Sequence, residues 1–424
     1  MIQKKEKLAI LGGKKLIKKN FKKHQSIGLE EINATIKTMK SGVLSGFIAS
    51  NSPHFYGGNQ VKSFEEKIKN FFNVKYAITV NSWTSGLITA IGACNFEPGD
   101  EIIVSPFTMA ASATSILHNN LVPIFADIDE ETFCLDPKSV EKLITKKTKA
   151  IMIVDINGYP TPIEKFKLLS KKYNLKLIID AAQSIGALYK NKYAGTIGDI
   201  GGFSLNVHKH INTGEGGIIV TNDKKLAKRC FLIRNHGEVL MNSNSKIKDL
   251  SNIVGHNFRM CEIEATIGIE QLKKLKRIIA KFQKNSHKLI KGLEKLEGLI
   301  VPKISKNFTH SFYAFPMVLN FKKIKVKRKT IVNALRAEGV NVGEGYQNIH
   351  NLPIFKKQIA YGTKKYPWKI NKKKYLNNKC INAEKLHNET YFSFGIASYD
   401  LSDEDINILI KAFHKVWTNL DLLK

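Results

Sequence analysis

Two residue types stand out by their setting. In FSLNVHKHINTGEGG (203–217), Lys209 lies between the apolar stretch IGGFSLNV and a glycine turn, whereas almost every other lysine occupies a plainly polar run. A lysine in a confined site loses its proton more readily than the ~10.4 of the free side chain and can then attack a carbonyl. The glycines after it let the backbone approach a flat ligand closely. Successive side chains of an extended segment point to opposite sides, so His208, Lys209 and His210 do not converge on one metal ion. Asp180 closes the apolar run LKLIID and precedes AAQ. It reads either as a helix N-cap or as a carboxylate held at a ligand edge for a cationic ring nitrogen.

A third segment, NSWTSGL (81–87), follows an apolar run and opens a helical one. Backbone amides and hydroxyls at a helix N-terminus form an anion site. The GxxxxGK[ST] spacing of a P-loop is missing. A phosphate cradle, an acid for a ring nitrogen and a lysine in a confined setting are together the protein's share of a pyridoxal phosphate (PLP) site.

Those residues need a scaffold. From 75 to 225 short apolar runs, YAITVN, EIIVS, VPIFADI, AIMIVD, LKLIID and GGIIVTND, alternate with amphipathic segments such as AASATSILHNN and IEKFKLLSKKY. Continuous apolar strands separated by helices predict an α/β fold with a mostly parallel sheet covered on both faces. Ligands bind such sheets beyond the carboxyl ends of the strands. That rule selects 81–86, 105–109, 155–159 and 180–183. A long helix is expected at 262–296, and beyond it a smaller α+β C-terminal unit. The expected division is an N-terminal arm (1–50), a PLP-binding large domain (51–275), and a connecting helix with the small domain (276–424). The segment 359–379 lacks periodicity and reads as a surface excursion.

With 424 residues, 43% hydrophobic and 24% charged, the chain is long enough for two domains. Its formal net charge of +31 comes from lysines scattered along the whole length. That scatter reads as solvated surface, without a nucleic-acid-binding signature, and its field suits an anionic small substrate. The five cysteines form no CxxC pair, which predicts reduced thiols in a cytoplasm. No export signal or membrane span is indicated.

The order of the motifs resembles the PLP-dependent sugar aminotransferases of the DegT/StrS type. The segments that carry the resemblance are VNSWTSGL, DAAQSIGALYKNKYAGTIGDIGGFSL, HKHINTGEGGIIVTND, RNHGE and GHNFRMCEIEATIGIEQL. It implies a fold-type I architecture with a seven-stranded sheet, and a homodimer with shared active sites. By the motif match Lys209 is the lysine that bonds PLP, Asp180 pairs with the pyridine nitrogen, and Gln183 lies beside the ring. Thr84, Ser85 and Ser204 would hold the phosphate, joined by Asn257 from the other subunit. Tyr346 and His350, in GYQNIHNLP, resemble a substrate-side loop.

The sequence departs from that family at two places. Met109, in SPFTMAASA, stands where an aromatic usually stacks on the cofactor, with Phe107 nearby. Trp83 stands where small residues are usual. The activity implied is amino transfer from an amino acid such as L-glutamate to a keto-sugar, nucleotide-diphosphate-linked, in amino-sugar or surface polysaccharide biosynthesis. A deoxysugar 3-dehydratase, a cyclitol aminotransferase and a PLP-binding regulator are the alternatives.

Overall fold

Residues 6–50, 52–237, 252–371, 375 and 379–423 are described by the computed structural model. Glu238 of the RNHGE segment and six residues of the 359–379 excursion lie outside them. The chain opens with α1 (Leu29–Lys40) and α2 (Asn59–Phe72), then alternates: β1 (Tyr76–Val80), α3 (Trp83–Ala93), β2 (Glu101–Val104), α4 (Ala110–His118), β3 (Val122–Phe125). The alternation continues with α5 (Pro137–Leu143), β4 (Thr148–Val154), α6 (Glu164–Tyr173) and β5 (Lys176–Asp180). A small hairpin of β6 (Leu188–Tyr189) and β7 (Lys192–Tyr193) precedes β8 (Ile200–Ser204), β9 (Gly217–Thr221) and α7 (Lys224–Arg234).

These strands form a seven-stranded sheet of order β1-β9-β8-β5-β4-β2-β3. Neighbours are parallel except at β9, which runs antiparallel to both β1 and β8. Hence β1, β5 and β8 end on one edge, and the β8–β9 connection that carries Lys209 turns over at that same edge. Ile151, Met152 and Ile153 of β4 are fully buried, as expected for a strand covered on both faces. Local chemistry starts the helices where the turns require. Asp136 caps α5 by accepting from the amides of Lys138 and Ser139, with Pro137 in the first turn.

The seventh strand, β8, is absent from the pattern of apolar runs. Its sequence IGGFS puts two glycines where strand-forming side chains are expected, and glycine weakens strand propensity. Packing requires both. A Cβ at Gly201 would lie 2.3 Å from the Gly195 carbonyl oxygen, and one at Gly202 would lie 1.9 Å from that of Ile218.

Beyond the sheet, α8 (Glu262–Leu293) is a single 32-residue helix. It buries Leu272, Leu275, Ile279, Phe282, Leu289 and Leu293 at helical spacing. Each such side chain contributes roughly 1.5–3 kcal/mol relative to exposure. The helix is unbroken through residues 275 and 276. A four-stranded antiparallel sheet follows, β10 (Leu299–Ile300), β11 (Phe315–Leu319), β12 (Val342–Glu344) and β13 (Tyr391–Phe394), in the order β10-β11-β13-β12. Its helices are α9 (Arg328–Glu338), the short α10 (Pro353–Lys356) and α11 (Ile381–Lys385), and α12 (Asp403–Trp417). The N-terminal segment is tied to this part of the molecule. Buried Glu338 accepts from the amides of Ala9 and Leu16 and pairs with Lys415 at 2.9 Å. Among the described residues, no helix is long and apolar enough to cross a membrane.

Candidate active site

Asp180 is the last residue of β5 and is buried. No helix begins after it, so its oxygens are not consumed by capping. Instead its Oδ1 accepts from the Trp83 indole Nε1 at 2.7 Å and from the Ala182 amide at 3.2 Å. Its Oδ2 accepts from the Ser112 hydroxyl at 2.7 Å. A buried carboxylate is tolerable only when its lone pairs are served in this way.

Lys209 sits in the loop between β8 and β9, its amide donating to the Asn206 carbonyl at 2.9 Å. Its Nζ lies 4.5 Å from the centroid of the Tyr313 ring. Burial pushes its pKa from 10.5 down to about 8, and attraction to Asp180 acts in the opposite direction. A lysine of this kind holds a useful fraction of neutral amine near neutral pH. The flanking histidines diverge in environment. His210 is fully buried, and burial lowers its pKa to about 3. Being neutral, it donates through Nε2 to the Ser311 carbonyl at 2.9 Å. His208 is exposed and lines two cavities.

The N-terminus of α3 lies on the same edge. Ser82 caps it, accepting from the Ser85 amide at 3.1 Å, and the two hydroxyls are 2.8 Å apart. Thr84 is exposed at the first turn, and Ser85 is buried. First-turn amides have no intrahelical acceptor, so this end is electropositive. Ser204, at the end of β8, accepts from the Asn206 amide at 3.3 Å. Between these elements the backbones nearly touch: a Cβ at Gly217 would lie 2.7 Å from the Trp83 amide nitrogen.

Gln183 links the sheet edge to the C-terminal unit. Its Oε1 accepts from the Asn157 amide at 2.8 Å, and its Nε2 donates to the Tyr346 hydroxyl at 2.9 Å. Tyr391 donates to Asn157 Oδ1 at 3.1 Å. Burial pushes the Tyr346 phenol up to about 12, keeping it protonated. A cavity of about 450 Å³ borders Lys209, His208, Asn212, His24 and Tyr399. A second, of about 280 Å³, is lined by His208, Asn157, Tyr313, Tyr346 and Tyr391.

The sequence candidates therefore gather unevenly. Lys209, Asp180, Gln183, Thr84, Ser85, Ser204 and Tyr346 converge on one sheet edge. Met109 is the exposed N-cap residue of α4, whereas Phe107 is fully buried 5.0 Å from the Tyr346 ring. His350 does not join them. It is buried against Glu384 at 2.9 Å and lines neither cavity. Asn257 is exposed, bridged to Asn235, with its side chain accepting from Arg259 at 2.7 Å. Geometry adds Ser112, Asn157, Tyr313 and Tyr391. Asn157 lay in a strand-end segment already singled out. Tyr391 comes from β13 of the second sheet and Tyr313 from the segment just before β11, and nothing local in sequence marks them.

Residues 47–381 match the DegT/DnrJ/EryC1/StrS aminotransferase family. The chain is 35% identical over 298 residues to a GDP-perosamine synthase of Escherichia coli O157:H7, covering 70% of this chain and 79% of that one. Its fold superposes on an aminotransferase of Psychrobacter cryohalolentis with a TM-score of 0.81 at 26% identity, covering 95% and 100% of the two chains. It also superposes on the E. coli GDP-4-keto-6-deoxy-D-mannose-3-dehydratase with bound hydrated PLP, at a TM-score of 0.77 and 26% identity over 93% and 99%. The architecture is that of the fold-type I PLP enzymes, and the chain belongs to the DegT/DnrJ/EryC1/StrS aminotransferase family.

Proposed function

We propose that this aminotransferase moves an amino group from an amino acid such as L-glutamate to a keto-sugar carried on a nucleoside diphosphate. The reading rests on Lys209, partly buried and within reach of the Asp180 charge on a sheet edge that also presents the N-terminus of α3. PLP is the cofactor of this family, and the donor set of the site fits it. A lysine of lowered proton affinity, a buried carboxylate and an anion-binding helix end are what its aldehyde, ring nitrogen and phosphate require. When bound, PLP supplies a conjugated ring that accepts the electrons released at the reacting carbon.

The chain's residues then divide the work. Lys209 would hold the cofactor, and its amine, once free, would take the proton from the donor's α-carbon. Asp180, fixed by Trp83 and Ser112, would accept the N–H of the ring nitrogen. Thr84, Ser85 and Ser204 would receive the phosphate, Gln183 would flank the ring, and Met109 would lie over it. Tyr346, with Tyr313 and His208, would face the sugar side, and His350 would support that loop through Glu384. Asn257 is assigned to the neighbouring subunit's phosphate, which makes the enzyme a homodimer with shared sites. A cytoplasmic location fits five free thiols.

Two measurements test this. Protein loaded with PLP should convert its absorbance on addition of L-glutamate, and Lys209→Ala should abolish the conversion. A panel of nucleotide keto-sugars should show transfer of labelled nitrogen from glutamate to the sugar. A wild type that binds PLP yet converts with no amino acid would sink the proposal and leave a binding protein. Loss of a sugar hydroxyl without retained label would point to the dehydratase reading.

A further inference from the structure

The indole of Trp83 is one of the two side chains that hold Asp180, and it does more than donate a bond. We propose that Trp83 is a positioning residue: its indole N–H fixes the Asp180 carboxylate and couples it to the anion-binding turn of α3. This rests on the PLP reading given above.

Three observations carry it. The Trp83 Nε1 to Asp180 Oδ1 distance is 2.7 Å, and both residues are only 5% exposed. The contact is therefore made away from bulk water. The ring is held in a slot formed by two glycines. A Cβ at Gly202 would lie 2.3 Å from Cζ3 and 2.4 Å from Cη2, and one at Gly86 would lie 2.5 Å from Cε3. An indole so confined has one orientation, and that orientation aims its N–H at the carboxylate. Finally, Trp83 is the first residue of α3 and directly precedes Thr84. One residue thus joins the helix turn proposed to meet the phosphate to the acid proposed to meet the ring nitrogen, two groups far apart in sequence.

Ser112 holds the other oxygen from α4, so the carboxylate is clamped between two helices. With the Ala182 amide also bonded to Oδ1, one acceptor position of the carboxylate remains, on Oδ2. A charge-assisted hydrogen bond in a water-poor site is a strong orienting contact. Phenylalanine deletes the donor and retains an aromatic ring, although the smaller ring leaves part of the slot empty. Loss of the donor leaves Oδ1 with the Ala182 amide alone.

The test uses the PLP-loaded enzyme and three readouts besides turnover. Trp83→Phe is expected to raise the PLP dissociation constant by more than about tenfold, as the loss of a bond to a charged group does. It should also move the pH at which the bound cofactor's absorbance changes. In the half-reaction with L-glutamate, kcat should fall by a similar factor while donor KM stays near wild type. Combining Trp83→Phe with Asp180→Asn should add little, because both act at one carboxylate.

The wild type provides an independent measurement. Of its three tryptophan indole N–H resonances, one should be protected from exchange, move on PLP binding and shift in Asp180→Asn. Trp83→Leu, which also lacks the donor, stands in if the phenylalanine variant does not fold. An unchanged absorbance–pH profile in the variant, defects that add fully to those of Asp180→Asn, or a Trp83 resonance indifferent to PLP and to Asp180→Asn would each overturn the inference. Those outcomes leave the aminotransferase reading intact, whereas a wild type that fails to convert with any amino acid defeats the reading itself.

Discussion

At the scale of single residues, Lys209 is costly to the protein without its cofactor. Its pKa falls from 10.5 to about 8 on burial, so between those values the unfolded chain binds more protons than the folded one. Stability then rises with pH across this window, and below about 8 the folded state carries the full penalty. Lys209→Met keeps the length of the side chain and removes the charge. Apo Lys209→Met should therefore melt a few degrees higher than the apo wild type at pH 7, with the gap closing toward pH 10.5. Scanning calorimetry at several pH values would show it; equal melting temperatures at pH 7 would mean that the amine is not held out of water. The lysine was legible because it was the exception in a chain of polar lysines. Asp180 was legible too, but not what holds it. Its partners Trp83 and Ser112 are 97 and 68 positions away, and only the folded sheet brings them together.

At the scale of elements, six strands of the large sheet announced themselves through apolar runs, and β8 did not. Its glycines answer to neighbours distant in sequence: the Ile218 carbonyl, the Gly195 carbonyl and the Trp83 ring. Local propensity carries no trace of such partners. Gly217 belongs to the same construction. A methyl there would meet the Trp83 amide nitrogen at 2.7 Å and the Ser82 carbonyl carbon at 2.8 Å, backbone atoms that cannot swing aside. Gly217→Ala should therefore push β9 away from the first turn of α3. Overpacking of this kind costs about 1–3 kcal/mol in urea unfolding. It should also weaken PLP binding, because the displaced amides are those assigned to the phosphate. A variant with wild-type stability and PLP affinity would show that the strand and helix have slack between them. The loop expected on the substrate side divides in the fold: Tyr346 bonds Gln183 at the sheet edge, whereas four residues further His350 turns inward to Glu384.

At the scale of the whole molecule, the outer face of α1 is left uncovered among the described residues. Leu29, Ile32, Ile36 and Met39 recur at helical spacing and are between 45% and 72% exposed, while the other face of the helix packs on α8. Val43, Leu44 and Ile48 extend the exposed apolar surface beyond the helix end. A contiguous apolar patch on a chain with a net charge of +31 marks an interaction surface. In the proposed homodimer a second copy would cover it, because a two-fold contact is self-complementary. The proposed sharing of Asn257 requires such a copy. Glutamates at Ile36 and Met39 would bury like charges at that contact and should convert the dimer to monomers in sedimentation velocity. The monomer should bind PLP more weakly, since each site would lack its neighbour's asparagine, and Asn257→Ala in the intact dimer should reproduce the PLP defect alone. If the double glutamate variant sediments as the wild type does, α1 is not the dimer contact. If it separates into monomers with undiminished PLP affinity, the sites are self-sufficient and Asn257 has no role across the interface.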